Sequence, residues 1–303
     1  MTVFELLGVP PPNPVVVSKL ENAARRTVTL LVEAGFDQRF WWTYAHPECR
    51  VVHQGQGGRA AALARLDEAR QNADAFLVAV LDADLDRVNG ALVERDEVIW
   101  TDAHDLETTL LLLPTLEKLV SSLLPARELG CYESRWAEGL RPRLFRHALG
   151  MGKLRWHFLE KDEIKFKKVG KSSRKGELLY FDKYDECVEP DWTPSVSSSL
   201  GALISYNNAQ RLLREQPSIL AEVEALPDDP AEQICNGHDL LGFLHAWLRS
   251  VVQEAPSQAH LEQLLGVACE GPWLRTTRMW SGLRAWEAAH PGFQVLKDDV
   301  PFS

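Results

Sequence analysis

A short apolar strand that ends in closely spaced acids constrains this chain more than any other sequence feature. Residues Phe76 to Leu81 are continuously apolar, and Asp82, Asp84 and Asp86 follow at alternate positions. A short, continuously apolar run is typical of a strand buried on both faces of a sheet. Acids directly after such a strand lie at the carboxyl edge of the sheet, where open α/β folds bind ligands. The segment therefore predicts a polar site at one edge of an α/β sheet.

A second acid follows an earlier predicted strand. Thr27–Val32 is rich in β-branched residues, Glu33 comes directly after it, and Asp37 lies one helical turn further on. Like charges that converge repel one another unless a cation neutralises them, and hard oxygen ligands suit Mg²⁺ or Mn²⁺. The alternative is that these acids only form turns and cap helices, as Asp37 can do. We predict a divalent-metal site, whose ligands are Glu33, Asp82, Asp84 and Asp86.

Strand and helix patterns alternate over the first 125 residues. This order predicts a mostly parallel sheet with right-handed crossovers. Pro114 is expected to kink the third helix. The predicted strands are 27–32, 50–53, 75–81 and 97–101, and the helices are 36–46, 59–71 and 108–124.

The rest of the chain has a different pattern. Residues 127–158 are predicted to be helical, with interruptions at Arg141-Pro142 and Gly150–Gly152. Strand patterns at 164–169 and 177–181 flank a glycine-bearing turn and predict a β-hairpin. The fold class is predicted as α/β, with a mostly parallel sheet flanked by helices, an inserted β-hairpin and a helical C-terminal region. The predicted domains are 1–125, 126–190 and 191–303.

Polar residues also follow the fourth predicted strand. His104, Asp105 and Glu107 lie there, at the same edge as the acids described above if the sheet is parallel. A neutral His104 can activate or orient water, and Glu107 can add to a second metal position. The alternative is that Asp105 caps the next helix and that His104 lies at the surface.

A second His-Asp pair opens a predicted helix near residue 240. His238 lies in its first turn, where free backbone amides can bind an anion such as phosphate. The alternative is that Asn236 or Asp239 simply caps this helix.

A basic segment stands out in a chain whose net charge is −10. On the tip of the predicted hairpin, its cations can contact a phosphate backbone without reading sequence. The alternative is a solvated loop. The six predicted nucleic-acid-binding residues are Lys165, Lys167, Lys168, Lys171, Arg174 and Lys175.

Composition places the chain among ordinary globular proteins. It has 303 residues, of which 45% are hydrophobic and 25% charged, enough to bury a core. Its five cysteines are scattered without a CxxC pair, so neither a zinc site nor a disulfide framework is indicated. No signal peptide and no apolar run of about 20 residues is present, so we expect a cytoplasmic protein without a membrane span.

Four short motifs together resemble a known family. Leu31-Val32-Glu33-Ala34-Gly35 and Leu81-Asp82-Ala83-Asp84 resemble the Glu and Asp-x-Asp motifs of Toprim (OLD-type) nucleases and primases. Adding Thr101–Glu107 and Asn236–Leu241, the chain is similar to the Toprim-like DUF4435 family, over about residues 25–290. Ala34 departs from the pattern, since many Toprim sequences have Gly directly after the Glu.

The resemblance implies a function and a set of partners. Glu33 would be the Toprim Glu, and Asp82 and Asp84 would be the Asp-x-Asp acids. The family includes the toxic nuclease effector of the PARIS anti-phage system, which an ABC-type ATPase holds until a phage trigger releases it. The resemblance therefore implies an Mg²⁺-dependent nuclease that acts on tRNA more readily than on DNA, with a partner ATPase and a homodimer as its active form.

Three other functions fit parts of the sequence. Leu81–Asp84 also resembles the metal-binding motif of nucleotide-sugar glycosyltransferases, although that class needs neither Glu33 nor the basic segment. A haloacid-dehalogenase-like phosphatase fits less well, since its Asp pair follows the first strand. A third alternative is a non-catalytic module that uses the fold only to bind an ATPase.

Overall fold

A computed structural model of the chain divides into two compact units. The described part of unit 1 falls within Met1–Leu81, Glu94–Ile99 and Arg278–Pro301, and that of unit 2 within Asp82–Val93 and Trp100–Thr277. The residues that the structure describes are 27–54, 58–71, 76–124, 139–161, 164–167, 177–180, 184, 195–207 and 209–298.

The central sheet has four strands, all parallel, and its order is β2-β1-β3-β4. Leu30 of β1 lies opposite Val51 of β2 on one side and Val78 of β3 on the other. The α/β class, the parallel sheet flanked by helices and the helical C-terminal region are therefore confirmed. The strands are β1 (Val28–Val32), β2 (Cys49–His53), β3 (Leu77–Leu81) and β4 (Val98–Trp100).

Twelve helices lie within the described ranges. They are α1 (Gly35–Tyr44), α2 (Gly58–Gln71), α3 (Leu106–Leu112), α4 (Thr115–Leu123), α5 (Leu140–Lys161), α6 (Val196–Asn207), α7 (Gln210–Glu224), α8 (Ala231–Ile234), α9 (Gly237–Val251), α10 (Gln258–Ala268), α11 (Gly271–Leu274) and α12 (Arg278–Ala289).

Unit 1 buries the apolar side chains of its strands against aromatic residues. Phe40, Trp41 and Tyr44 of α1 are buried, because their spacing places them on one face of the helix. Tyr44 meets Trp280 of α12 edge to face, with ring centroids 6.4 Å apart. A segment that is remote in sequence, α12, therefore completes the core of this unit.

Helix α5 forms the middle of unit 2 and is continuous, so the predicted interruptions within it are wrong. Pro142 lies in the first turn, where a helix does not need the missing N–H. Gly152 brings α5 close to α8, because a Cβ at this position would lie 2.5 Å from the carbonyl oxygen of Ile234. The glycine therefore marks close packing and does not end the helix.

Two other sequence predictions need correction. The third predicted helix is two helices, α3 and α4, because Pro114 is the N-cap of α4 and ends the continuous backbone bonding. The strands β5 (Ile164–Lys167) and β6 (Glu177–Tyr180) form where strands are predicted, but they pair in parallel and are not a hairpin. A glycine-bearing segment between two strand patterns indicates a reversal without specifying strand direction.

Two further observations concern the cysteines and the apolar character of the helices. Cys49 and Cys235 are buried thiols, and burial raises the pKa of Cys49 to about 12. No helix in the described part of the chain combines the length and apolar character needed to cross a membrane.

Candidate functional site

In unit 2, the loops that follow β3 and β4 are joined by hydrogen bonds. Thr101 Oγ1 accepts a hydrogen bond from the Ala83 amide at 2.9 Å, and Asp84 N–H donates to the His104 carbonyl at 2.7 Å. Arg87 donates to the carbonyl oxygens of Thr101 and Asp102 at 2.5 and 3.0 Å. Two strand ends with polar sequences thus form one local structure.

Asp84 occupies a strained backbone conformation in this structure. Its φ is +45°, and among the described residues no other non-glycine residue has a positive φ. The left-handed region costs most L-residues roughly 1–2 kcal/mol, although Asp adopts it more readily than most, and such conformations are concentrated at functional sites. Leu85, buried against Trp156 and Ile234, anchors the turn that holds Asp84. The surrounding contacts therefore maintain a conformation that the local sequence disfavours.

Asp82 and Asp86 lie on either side of this strained residue. Asp82 Oδ1 accepts a hydrogen bond from the Leu106 amide at the start of α3, at 3.2 Å. Asp86 ends the short 3₁₀ turn Asp84–Asp86. Asp82 and Asp86 are both half-buried. The helix amide gives Asp82 a structural contact and a fixed orientation.

His104 lies between two carboxylates. Its Nδ1 is 3.3 Å from Asp105 Oδ2 and 3.7 Å from Asp84 Oδ1. Burial lowers the pKa of His104, but the nearby carboxylates of Asp105 and Asp84 outweigh burial and hold the pKa above its ordinary value. His104 is buried, whereas the alternative placed it at the surface.

Asp105 is a buried carboxylate that joins two helices. It is the N-cap of α3, accepting from Thr108 N–H at 2.8 Å, and it also accepts from Gly237 N–H at 2.8 Å. Burial raises the pKa of Asp105, but His104 and these hydrogen bonds outweigh burial and keep the pKa below its ordinary value. The predicted capping role is confirmed, and the link to α9 is additional.

The charge on His104 predicts a pH dependence of stability. Because its pKa is raised on folding, the stabilisation is fully present below the ordinary pKa of 6.5 and is lost as the pH rises through the folded value. We expect the free energy of unfolding of the native chain, relative to His104→Gln, to fall as the pH rises from 6.5 through the raised pKa of His104. Urea unfolding at several pH values measures this difference. An equal difference at every pH would contradict it, and the exposed His260→Gln is the control.

Glu33 follows β1 in unit 1 and contacts the start of α2. Its Oε2 accepts from the Arg59 amide at 3.1 Å, and a Cβ at Gly58 would lie 3.4 Å from the same oxygen. Glu33 therefore has a capping contact in this unit. Asp37 Oδ2 accepts from the Ala34 amide at 2.9 Å, which confirms that Asp37 can cap α1.

A distant segment, residues 232–239, docks on the loop after β4. The Glu232 carbonyl accepts from His104 N–H at 2.9 Å, and the Cys235 carbonyl accepts from Thr108 Oγ1 at 3.2 Å. Glu107 is in this contact too, because a Cβ at Gly237 would lie 2.5 Å from the Glu107 Cβ. The two His-Asp segments of the sequence therefore meet in space.

His238 lies in the same segment, but its ring has protein partners. Nδ1 is 3.0 Å from Gln258 Nε2, and the ring meets Tyr184 edge to face. Asn236 Oδ1 accepts from His238 N–H at 2.9 Å, so Asn236 is the N-cap of α9, as one of the sequence alternatives predicts. The predicted anion-binding role of His238 stays a prediction.

Sequence reasoning missed an ion pair beside this segment, in which the carboxylate is fully buried and the guanidinium is partly exposed. Asp239 is fully buried, and Arg155 binds it through two hydrogen bonds of 2.7 Å. Tyr184 donates to the same carboxylate at 2.9 Å. The signal that was available is an acid at the start of an otherwise apolar helix, which needs a partner if it is buried.

The basic segment falls mostly outside the described residues. Lys165 and Lys167 belong to β5, of which only the backbone is described. The other four predicted contacts lie outside the described ranges: Lys168, Lys171, Arg174 and Lys175.

The predicted metal ligands offer the right chemistry without a complete cage. In the part of the chain that the structure describes, no three His, Cys, Asp or Glu side chains are grouped to hold a metal ion. Asp82 and Asp84 nevertheless supply hard oxygen donors, and Mg²⁺ commonly uses one or two carboxylates together with waters and substrate phosphate. The donor set therefore fits a magnesium ion that the substrate helps to hold.

Comparison with known proteins gives no relative for this chain. No family model, no curated protein and no solved structure matches it significantly.

Proposed function

We propose that this chain is a divalent-metal-dependent nuclease that hydrolyses phosphodiester bonds. The observation that carries the proposal is the acidic turn after β3. Asp84 has a strained backbone there, and its Oδ1 lies 3.7 Å from His104 Nδ1. Strain maintained by neighbouring contacts, beside two carboxylates and an imidazole, is typical of a catalytic site.

The proposed metal ligands are Asp82 and Asp84, with Glu33 and Asp86 as further acids. Glu33 is included because it directly follows β1 and matches the Toprim Glu of the sequence resemblance. A bound Mg²⁺ would polarise the phosphate and lower the pKa of a bound water.

His104 is proposed as a proton donor. The sequence allows a neutral His104 that activates or orients water, but a raised pKa beside the carboxylates of Asp105 and Asp84 supports a donor role. In hydrolysis a water molecule loses one proton to the solvent as its oxygen bonds to phosphorus, the bond from phosphorus to the leaving ribose oxygen breaks, and that oxygen takes a proton. His104 Nδ1 faces both acids, so Nε2 is the atom proposed to give this proton. Glu107 is proposed to add to a second metal position, and His238 is proposed to contact a phosphate of the substrate.

RNA is the proposed substrate, tRNA before DNA, with the basic residues 165–175 contacting its backbone. A toxic role in anti-phage defence, control by an ABC-type ATPase and a dimeric active form complete the proposal. These points rest on the four motifs that resemble DUF4435.

The test is cleavage by the purified chain. Total tRNA and plasmid DNA are each incubated with the protein and Mg²⁺, with or without excess EDTA, and Asp82→Asn is run beside the native chain. We expect tRNA cleavage that EDTA and Asp82→Asn both abolish. Cleavage that persists in either condition would contradict the metal assignment.

The same preparation separates the alternative functions. Hydrolysis of a nucleotide sugar in Mn²⁺, without cleavage of either nucleic acid, would favour a glycosyltransferase. Binding of the partner ATPase by an Asp82→Asn chain that remains fully toxic in cells would favour a non-catalytic module.

A further inference from the structure

We propose that Asp105 is a positioning residue, which holds the His104 ring against Asp84 and ties that ring to the start of α9. This inference rests on the proposed function in one respect, namely that His104 takes part in the reaction. Asp105 itself contacts no substrate in this proposal and acts only through His104.

The two carboxylate oxygens of Asp105 have different partners. Oδ1 accepts from Thr108 N–H at 2.8 Å, which is an ordinary N-cap bond. Oδ2 accepts from Gly237 N–H at 2.8 Å and is 3.3 Å from His104 Nδ1. Oδ2 therefore lies between the imidazole and the first residue of a helix that starts 132 residues further along the chain.

The packing around this carboxylate leaves little freedom. Asp105 and His104 are both 5% exposed. A Cβ at residue 237 would lie 2.5 Å from Asp105 Oδ1, so only glycine lets the α9 backbone come this near. A second restraint acts on the backbone of His104, whose N–H donates to Glu232 and whose carbonyl accepts from Asp84. The main chain of His104 is thus held by hydrogen bonds from two loops, and its ring lies in charge contact with Asp105.

A purely structural role for Asp105 makes a different prediction. If Asp105 only caps α3 and α9, its loss should resemble the loss of another cap at the same place. Asn236 is that matched residue, because it caps α9 through His238 N–H and is adjacent to Gly237. Asn236→Ala should destabilise the start of α9 and leave the position of the His104 ring unchanged.

The first test reads the His104 ring directly and does not need activity. Long-range ¹H–¹⁵N spectra of the full chain at one pH identify the His104 nitrogens by their loss in His104→Gln. We expect Asp105→Asn to move the His104 nitrogen signals and Asn236→Ala to leave them unchanged. Unchanged His104 signals in a folded Asp105→Asn chain would overturn the proposal.

The second test uses tRNA cleavage. We expect Asp105→Asn to lower kcat at least tenfold with little change in KM, and to have no further effect when His104→Gln is already present. Native kcat in Asp105→Asn, together with an inactive Asp82→Asn, would overturn the positioning role and leave the nuclease proposal standing. If the native chain cleaves nothing, the nuclease proposal fails, and the ring signals still decide the role of Asp105.

A second variant covers the case in which Asp105→Asn does not fold. Gly237→Ala retains the charge of Asp105 and displaces its carboxylate, because the added Cβ would clash with Oδ1. We expect the same movement of the His104 signals, and unchanged signals would overturn the proposal.

Discussion

Glu33→Gln is expected to reduce Mg²⁺-dependent cleavage by about a thousandfold or more, the scale seen when one member of a catalytic set is removed. The amide keeps an oxygen that can accept the hydrogen bond from Arg59 N–H, so the start of α2 remains capped. Only the negative charge proposed to bind the cation is lost. Cleavage of tRNA, toxicity in cells and thermal unfolding measure the effect.

Two further substitutions separate binding from capping at Glu33. Glu33→Ala removes charge and cap together, and should add a loss of stability of about 1 kcal/mol to the loss of activity. Glu48→Ala removes an exposed acid of the same unit and should change neither. A Glu33→Gln chain that stays folded, active and toxic would show that Glu33 only caps α2.

Asp239→Ala is expected to have the largest effect on stability, lowering the free energy of unfolding by about 3–5 kcal/mol. The reason is that Arg155 would keep a charge without the fully buried carboxylate that binds it through two hydrogen bonds. Tyr184 would lose its acceptor at the same time. Urea unfolding followed by circular dichroism measures this loss.

The control for this prediction is a salt bridge at the surface. Arg70 pairs with Glu97 in unit 1, but the Arg70 side chain is 57% exposed. Arg70→Ala should therefore lower the free energy of unfolding much less than Asp239→Ala does. If the two substitutions lowered the free energy of unfolding by similar amounts, burial of the Asp239 carboxylate would not make its ion pair more important for stability.

Sequence reasoning predicted the sheet well because strand patterns are local. The buried run before Asp82 and the β-branched run before Glu33 both became strands of a parallel sheet. Asp105 and Asn236 cap helices because capping depends on residues close in sequence. These parts of the fold needed no knowledge of distant contacts.

Contacts between remote segments explain what the sequence did not predict. The pairing of Asp105 with Gly237 and of Arg155 with Asp239 joins residues 132 and 84 positions apart. The raised pKa of His104 likewise depends on which acids surround it after folding. The parallel direction of β5 and β6 has no local signal either.

The most direct test of the metal assignment is a crystal of the full chain grown with Mn²⁺ and measured at the manganese absorption edge. We predict an anomalous peak within coordination distance of the Asp82 and Asp84 carboxylates, and none there in Asp82→Asn crystals. A native crystal with Mn²⁺ bound elsewhere, or with neither carboxylate next to a peak, would contradict the account.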